Sequence, residues 1–212
     1  IHQSYLDYID SLPIEAEPEV FGMHSNASIT CDMNDADNNF KIIVSLQPRA
    51  AGGAGMSRED IIYNIADEME AKVSPPWDIE AVGMLYPVSY NECLNTVLIQ
   101  EGQRFNKLTV AIRHSLPQLK KALKGLVVLS AELESMGNNL FNQFVPANWT
   151  KVSYPSLKGL GPWFSDYMAR IKFVNDWIEE GAPPVFWISG FFFPQGFMTA
   201  VLQNHARRYT MP

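Results

Sequence analysis

The chain has 212 residues, of which 47% are hydrophobic and 18% are charged, so it is long enough to bury a core as one domain or two. Its formal net charge of -7 argues against direct contact with nucleic acid, because that contact needs clustered Lys and Arg side chains to neutralise phosphates. The expected partner is therefore a protein surface.

Two helical segments are predicted before residue 48. The apolar positions of the first recur at helical spacing and are Tyr5, Leu6, Ile9 and Leu12. Pro13 is expected to end this short helix, and residues 26–47 read as a second helical or mixed stretch. Small residues and glycines then fill residues 48–56, which predicts a linker and a domain boundary.

Two further helices are predicted after the linker. Ser57 is a candidate N-cap with Asp60 three residues on, and an apolar face follows it at Ile61, Ile62, Ile65 and Met69. The next helix is long, and its apolar seam consists of Leu94, Leu98, Phe105, Leu108 and Ile112. Glu101 stands on the same seam, so one buried position of this helix is predicted to be polar.

A helix break is predicted at residues 115–117, with Ser115 as the cap and Pro117 in the first turn of a new helix. The apolar stripe of that new helix would run through Leu119, Leu123, Leu126, Ser130 and Leu133. Lys120, Lys121 and Lys124 lie beside this stripe and are interpreted as a solvated basic face.

The last two predicted helices flank an aromatic segment. The first has a strict apolar series at Phe164, Tyr167, Ile171, Val174 and Ile178. The second covers residues 194–209 and places Phe197, Val201 and His205 at steps of four. No segment alternates as a strand does, so the sequence predicts a mainly α fold, an array of amphipathic helices.

Motifs for catalysis and for cofactor binding are weak in this sequence. The glycines near Gly52 are followed by Met56 and not by the Lys of a phosphate-binding loop. The four histidines lack partners at metal-ligand spacing, and Ser189 lacks the first Gly of a nucleophile elbow. Cys31 and Cys93 lie far apart, which favours two reduced thiols over a disulfide. We therefore expect no catalytic, cofactor-binding or metal site in this segment.

Glu101 and Arg104 have two interpretations. A carboxylate on an apolar seam is costly unless it is paired, and Arg104 lies one helical turn away. The pair is either an intrahelical contact at the rim of the core, which the sequence favours, or a fixed polar contact to a neighbouring domain.

The segment FWISGFFFPQGF, residues 186–197, has three interpretations: a membrane segment, a ligand pocket or a buried joint between helices. No charged residue occurs in residues 181–204, which is long enough to span a bilayer, yet prolines and amides interrupt it. Gly190 is expected to allow close packing and Pro194 to begin the last helix, which favours the joint. In that case Phe192 is expected to be buried.

Several blocks of the sequence resemble dynein heavy chains. PEVFGMHSNA at residues 18–27 is similar to the end of the sixth AAA module in that family. LNTVLIQE, KALKGLVVLSAELE, YPSLKGLGPW, FWISGFFFPQ and LQNHARRY follow in the order of the family's C-terminal domain. The amino-acid sequences of these blocks are more similar to axonemal heavy chains, particularly inner-arm types. Gly102, Gly159 and Gly196 depart from the family pattern, and Gly102 is expected to weaken its helix by about 1 kcal/mol relative to Ala.

The resemblance implies a domain organisation. Residues 1–47 would be the end of the sixth AAA module, in its small helical subdomain, and residues 57–212 the helical part of the C-terminal domain. The chain begins at Ile1 without Met and without a secretory signal, so we expect a piece of a longer polypeptide from which the family's following β part is absent.

The resemblance also implies a function. The parent would be an ATP-driven motor that moves toward microtubule minus ends and powers ciliary or flagellar beating, located in the cytoskeleton of the axoneme. ATP and Mg²⁺ would bind upstream modules, and this segment would be a non-catalytic structural and regulatory part that packs on the AAA+ ring. Its partners would be other AAA modules of the same polypeptide and, through the parent, intermediate chains, light chains and microtubules, with no nucleic acid or membrane. The alternatives are a stand-alone helical interaction module, a membrane-associated helical protein, or a small enzyme with a pocket under the aromatic residues.

The residues expected to carry the structural or interface role belong to the long helix and to the aromatic segment. They are Glu101, Arg104, Phe105, Trp187, Phe191, Phe192, Phe193 and Gln195.

Overall fold

The computed structural model describes residues 2–12, 17–46 and 57–210, except for the side chains of residues 41, 42 and 44–46. The chain divides into two compact units, Ile1–Gln47 and Pro48–Pro212. The linker predicted at residues 48–56, and Pro13 at the predicted end of the first helix, lie outside the described residues.

The first unit is helical. It contains helix α1 (His2–Ser11), a 3₁₀ turn (Pro18–Phe21) and helix α2 (Asn26–Leu46). Both helices therefore fall where the sequence predicts them. The apolar side chains of Tyr5, Leu6, Ile9 and Leu12 are exposed in this unit.

The second unit contains seven α-helices among its described residues. They are α3 (Arg58–Lys72), α4 (Ile79–Leu85), α5 (Cys93–Leu123), α6 (Ala131–Phe141), α7 (Ala147–Thr150), α8 (Leu160–Glu180) and α9 (Pro194–Arg208), with a 3₁₀ turn at Ile188–Gly190. Across the described residues of the chain, the only β-type pairing is an isolated bridge between Ser89 and Glu92. The mainly α prediction is confirmed.

Helix α3 begins as the sequence predicts. The Ser57 hydroxyl accepts a hydrogen bond from the Asp60 backbone N–H at 3.1 Å, and the Asp60 carboxylate accepts one from the Ser57 N–H at 3.3 Å. This reciprocal capping box satisfies two backbone donors that the first helical turn leaves free. Ile62, Ala66 and Met69 then form the buried face of α3.

Helix α5 is the centre of the second unit and packs against α3, α4, α6, α7, α8 and α9. Its 31 residues bury the predicted seam from Leu98 through Phe105 and Leu108 to Ile112. Gly102 lies on this buried side, where a Cβ atom would come within 3.1 Å of Ile79 Cδ1. The glycine expected to weaken the helix therefore allows α4 to approach α5 closely.

The predicted break at residues 115–117 is wrong, because α5 continues through Pro117 to Leu123. The Ser115 hydroxyl does not cap a new helix. It donates back to the Ala111 carbonyl at 2.7 Å and accepts a hydrogen bond from the buried Trp149 indole at 2.8 Å. Burial of Leu116 and Leu119 on either side of Pro117 stabilises the continuous helix and outweighs the local cost of the proline.

The predicted stripe from Leu119 to Leu133 is also divided differently. Helix α5 ends at Leu123, Leu126 is exposed in a loop, and Ser130 is the N-cap of α6, accepting from the Leu133 N–H at 3.3 Å. The apolar residues therefore keep helical spacing across the loop between α5 and α6 by coincidence. Spacing alone does not show where one helix ends and the next begins.

The basic face beside that stripe is more ordered than predicted. Lys120 forms ion pairs with Asp67 at 2.5 Å and Glu70 at 2.9 Å on α3, and Lys124 lies over the Tyr63 ring. These contacts join the C-terminal half of α5 to α3, although Lys121 remains exposed as expected.

Helix α8 confirms its predicted stripe, with Phe164, Tyr167, Ile171 and Val174 buried. In α9 the stripe is shifted. Phe197 is buried, but Ala200 is buried in place of the predicted Val201, and His205 is exposed. Helix α9 packs against α5, and its buried residues are Phe197 and the small Ala200.

Candidate functional site: the Glu101 clamp and the aromatic joint

The candidate site lies where the N-terminus of α9 meets the middle of α5. We call Phe186–Phe197 the aromatic joint, and the carboxylate of Glu101 with its hydrogen-bond partners the Glu101 clamp. Both are confined to the second unit.

Glu101 reaches from α5 to the backbone that leads into α9. Its side chain is buried, with 1% of the residue exposed, and its Oε1 accepts a hydrogen bond from the Phe193 N–H at 3.0 Å. Its Oε2 accepts another from the Phe192 N–H. The start of α9 lacks a side-chain cap of its own, with Phe193 at the N-cap and Pro194 at the first helical position. A residue distant in sequence therefore anchors the backbone that enters α9.

The electrostatics of the clamp combine opposing effects. Burial raises the pKa of Glu101 above its usual value, while the hydrogen bonds from Phe192 and Phe193 and the charge of Arg104 act to lower it. Arg104 pairs with Glu101 Oε1 at 3.3 Å and also lies over the Phe193 ring, 5.1 Å from its centroid. The negative carboxylate also faces the positive end of the α9 dipole.

The pairing of Glu101 with Arg104 was predicted, but the main partner of Glu101 was not. The intrahelical pair exists, as the favoured interpretation has it. The strongest contacts of the carboxylate are nevertheless the two backbone N–H groups of the aromatic joint. The contact spans about 90 residues within one unit, so no local spacing could have revealed it.

Two clusters of aromatic rings lie beside the clamp. Phe105 is fully buried and meets the Phe192 ring edge-to-face at 5.4 Å, and Tyr154 meets the same ring at 5.9 Å. On the other side, Phe191 stacks on Phe197 with ring centroids 4.5 Å apart. Edge-to-face and offset-stacked pairs are the preferred geometries of aromatic rings, so the joint is specifically packed.

The burial of the joint differs from residue to residue. Phe191 is buried, whereas Phe192 is only partly buried and Phe193 is exposed on one side. The expectation that Phe192 is buried is met only in part, because its ring lies at the edge of the core over Phe105, and Phe191 points into the core instead.

Gly190 and Pro194 have the roles that the sequence predicts. A Cβ atom on Gly190 would lie 2.5 Å from the Trp187 ring, so only glycine fits under that indole. Pro194 is the first residue of α9. Trp187 itself is partly exposed and packs edge-to-face on Phe173 at 6.2 Å.

Gln195 lies within the joint segment but takes no part in the clamp or in its aromatic packing. Its side chain is exposed, and its carbonyl accepts a hydrogen bond from the Thr199 hydroxyl inside α9. The structure therefore brings together Glu101, Arg104, Phe105, Phe192 and Phe193 around the clamp and places Gln195 outside it.

Arg170 of α8 makes several contacts that hold the joint, and the sequence analysis did not predict it. Its guanidinium pairs with Asp166 at 2.7 Å, donates to the Phe191 carbonyl at 3.3 Å and lies 3.9 Å from the centroid of the Tyr154 ring. Burial would raise the pKa of Asp166, but hydrogen bonds from Lys158 and Arg170 outweigh it and lower that pKa. The sequence did carry a signal, because Asp166 and Arg170 stand four residues apart on α8.

Four further features of the described residues concern metal ligands, thiols, a groove and membrane spans. No three His, Cys, Asp or Glu side chains in the described part of the chain come together as metal ligands. Cys31 and Cys93 are free thiols. An open groove of about 570 Å³ lies between α9 and residues 88–100, and its lining includes Cys93, Phe193 and Gln203. Among the helices that the structure describes, none is long and apolar enough to cross a membrane.

Comparison with known proteins identifies the family. The family model for the C-terminal domain of dynein heavy chains matches residues 33–212. The chain belongs to this family. Dynein axonemal heavy chain 3 of Homo sapiens is 48% identical over 211 residues, which is 100% of this chain and 5% of that protein. Dynein axonemal heavy chain 1 of Rattus norvegicus is 47% identical over 207 residues, 98% of this chain and 5% of that protein.

The dynein heavy chain resemblance found in the sequence is thus confirmed, including its axonemal character. Dynein axonemal heavy chain 12 of Mus musculus is 44% identical over 212 residues, 100% of this chain and 7% of that protein. The chain spans only about one twentieth to one fourteenth of the length of these dynein relatives. The clamp and the joint are therefore features of a dynein C-terminal domain.

Proposed function

We propose that this chain is a non-catalytic structural and regulatory segment of an axonemal dynein heavy chain, which packs on the AAA+ ring and biases the movements of its modules during the ATP cycle. The parent motor would hydrolyse ATP in upstream modules, move toward microtubule minus ends and drive ciliary or flagellar beating. Its location would be the axoneme, and its partners the other AAA modules, intermediate and light chains, and microtubules.

The observation that carries this proposal is the Glu101 clamp. A buried carboxylate that holds two backbone N–H groups fixes the start of α9 against the middle of α5. Because Arg170 also holds the Phe191 carbonyl, the joint is tied to α8 as well. Such a connection transmits force between helices without bending, which suits a brace better than a hinge.

The membership in the dynein family supports the proposal from another direction. A segment that performs no catalysis can still contribute to a motor by coupling one binding site to another. Such a coupling free energy is typically about 1–3 kcal/mol, which changes the binding affinity at the second site roughly 5- to 150-fold. A brace that keeps its shape through the ATP cycle can supply such coupling.

The test uses the full-length heavy chain. Deletion of residues 57–212 should change the microtubule-stimulated ATPase rate, the gliding velocity or the stall force. Glu101→Ala in the full-length protein should change the same quantities in the same direction. Glu68→Ala is the matched control, because Glu68 is an exposed residue whose ion pair with Lys72 lies on the surface of α3.

A motor whose ATPase rate, velocity and stall force are all unaffected by the deletion would rule out the proposed function. If the deletion has an effect and Glu101→Ala has none, the segment contributes to the motor but the clamp does not carry its role.

A further inference from the structure

Helix α5 carries two features that weaken it within two turns of each other. Pro117 has no N–H, so the Arg113 carbonyl lacks the donor that an α-helix normally supplies, and the proline ring crowds that carbonyl. The Ser115 hydroxyl donates back to the Ala111 carbonyl at 2.7 Å. Prolines and serine hydrogen bonds of this kind both bend helices. We call residues 111–117 the proline turn of α5.

Helix α3 holds α5 on both sides of the proline turn. On the N-terminal side, the Arg113 guanidinium donates to the carbonyl of Val73, the C-cap residue of α3, at 2.7 Å. On the C-terminal side, Lys120 pairs with Asp67 and Glu70 of α3 at 2.5 Å and 2.9 Å. One helix therefore bridges the position at which the other is weakest.

Apolar packing adds to these polar contacts. Leu116 and Leu119 of α5 are fully buried, and they belong to the same core as Ile62, Ala66 and Met69 of α3. Because α3 packs against α5, its displacement would remove the ion pairs of Lys120 together with part of the apolar cover. Both effects would favour opening of the proline turn.

The ion pairs of Lys120 are the contact between α3 and α5 that is easiest to break and remake. Hydrogen bonds to Asp67 and then to Glu70 raise the pKa of Lys120 above its usual value, so this amine stays charged. Its ammonium also lies 5.3 Å from the centroid of the Tyr63 ring. Partly exposed ion pairs contribute little individually, so they hold a helix reversibly.

Helix α3 is also the first helix that follows residues 48–56, which connect the two units. A displacement of the first unit that is transmitted along the backbone therefore reaches α3 before any other described helix of the second unit. The helix that receives such a displacement is the one that bridges the proline turn.

We propose that the proline turn is a conformational switch, which α3 holds in the helical form and which opens when α3 is displaced. This inference goes beyond the proposed function, because it concerns a change of shape within the domain. The proline turn lies outside the Glu101 clamp and the aromatic joint, so the brace keeps its shape when the turn opens.

The test is hydrogen exchange in the full-length heavy chain, read at the amides of residues 112–121. Glu70→Lys places a like charge beside Lys120 and should accelerate this exchange about fivefold or more. Glu68→Lys is the matched control, since it makes the same charge change on α3 at an exposed residue paired with Lys72. It should accelerate exchange by less than about twofold.

A second background separates a switch from simple stabilisation. Pro117→Ala supplies the missing N–H, and by itself it should slow exchange at residues 112–121 at least about tenfold. In that background, Glu70→Lys should accelerate exchange by less than about twofold, because the turn then stays helical without help from α3. The amides of α8 should be unchanged in all these variants.

Three results would overturn the inference. They are equal acceleration by Glu70→Lys with proline and with alanine at position 117, no larger effect from Glu70→Lys than from Glu68→Lys, or no slowing by Pro117→Ala.

Faster exchange in α8 would show that Glu70→Lys disturbs the whole unit. Glu70→Gln then takes its place, with Glu68→Gln as its control, because it removes the charge without introducing repulsion. It should accelerate exchange at residues 112–121 about threefold, and only when Pro117 is present. An effect that is independent of Pro117 would again overturn the switch.

Discussion

The carboxylate of Glu101 and the backbone N–H of Phe193, separated by 92 positions in the sequence, meet at 3.0 Å at the start of the last helix. The contact holds the N-cap residue of α9 and the residue before it, and it also joins two helices. The entry of the chain into α9 is thereby anchored to α5.

Replacement of Glu101 by Ala should destabilise the protein by about 2–4 kcal/mol, because the N–H groups of Phe192 and Phe193 lose their acceptor at a partly buried site. Glu101→Gln keeps one acceptor oxygen and should cost less. Urea unfolding followed by circular dichroism measures both. Glu68→Ala, on the surface of α3, should change stability by less than about 0.5 kcal/mol. Equal effects from Glu101→Ala and Glu68→Ala would contradict the clamp.

The clamp also predicts a pH dependence. Burial raises the pKa of Glu101 in the folded state above its ordinary value of 4.5, so the folded protein binds this proton more tightly than the unfolded protein does. The stabilising contribution of that proton is complete below pH 4.5 and is lost as the pH rises through the folded pKa. Glu101→Gln should remove this component. The measurement is the free energy of unfolding against pH for both proteins, and parallel curves above pH 4.5 would contradict the prediction.

The three consecutive phenylalanines of the joint should differ in importance. Phe191→Ala should cost about 3–5 kcal/mol, since Phe191 is 2% exposed and stacks on Phe197. Phe192→Ala should cost less, and Phe193→Ala least, because Phe193 is about half exposed. Thermal or urea unfolding of the three variants tests the order. A larger loss of stability for Phe192→Ala than for Phe191→Ala would show that Phe192, and not Phe191, faces the core.

Ser115→Ala should destabilise the protein by about 1–3 kcal/mol, because the buried indole N–H of Trp149 loses its acceptor. Ser189→Ala is a suitable control, since Ser189 is exposed in the joint. Urea unfolding compares the two. If both substitutions are neutral, the hydrogen bond between Trp149 and Ser115 contributes nothing to stability, and burial of Leu116 and Leu119 alone keeps α5 continuous.

The sequence predicted the features that depend on near neighbours. Ser57 and Asp60 form their cap, the stripe of α8 is buried, and Gly190 allows close packing, which the structure shows to be against Trp187. These outcomes follow from helical periodicity and from the space that a side chain needs. The sequence also predicted the dynein family correctly, because the similar blocks are long and occur in the family's order.

The features that were missed depend on tertiary contacts. Pro117 predicts a break by its own chemistry, but the burial of Leu116 and Leu119 overrides it. The partners of Glu101 are backbone groups of a segment that carries no complementary charge, so no pattern of side chains could indicate them. Phe191 and Phe192 are chemically identical, and only the path of the backbone decides which of them is buried.

The distance along the polypeptide between Glu101 and Phe193 also has a consequence for biosynthesis. At a synthesis rate of about 5–20 residues per second, roughly 5–20 s pass between the emergence of Glu101 and that of Phe193 from the ribosome. Until residue 180 has been made, the apolar seam of α5 lacks its partners on α8, and throughout the interval its carboxylate lacks the N–H groups before α9. A nascent polypeptide halted before residue 193 should therefore bind a chaperone, and release it once the last helix has been made.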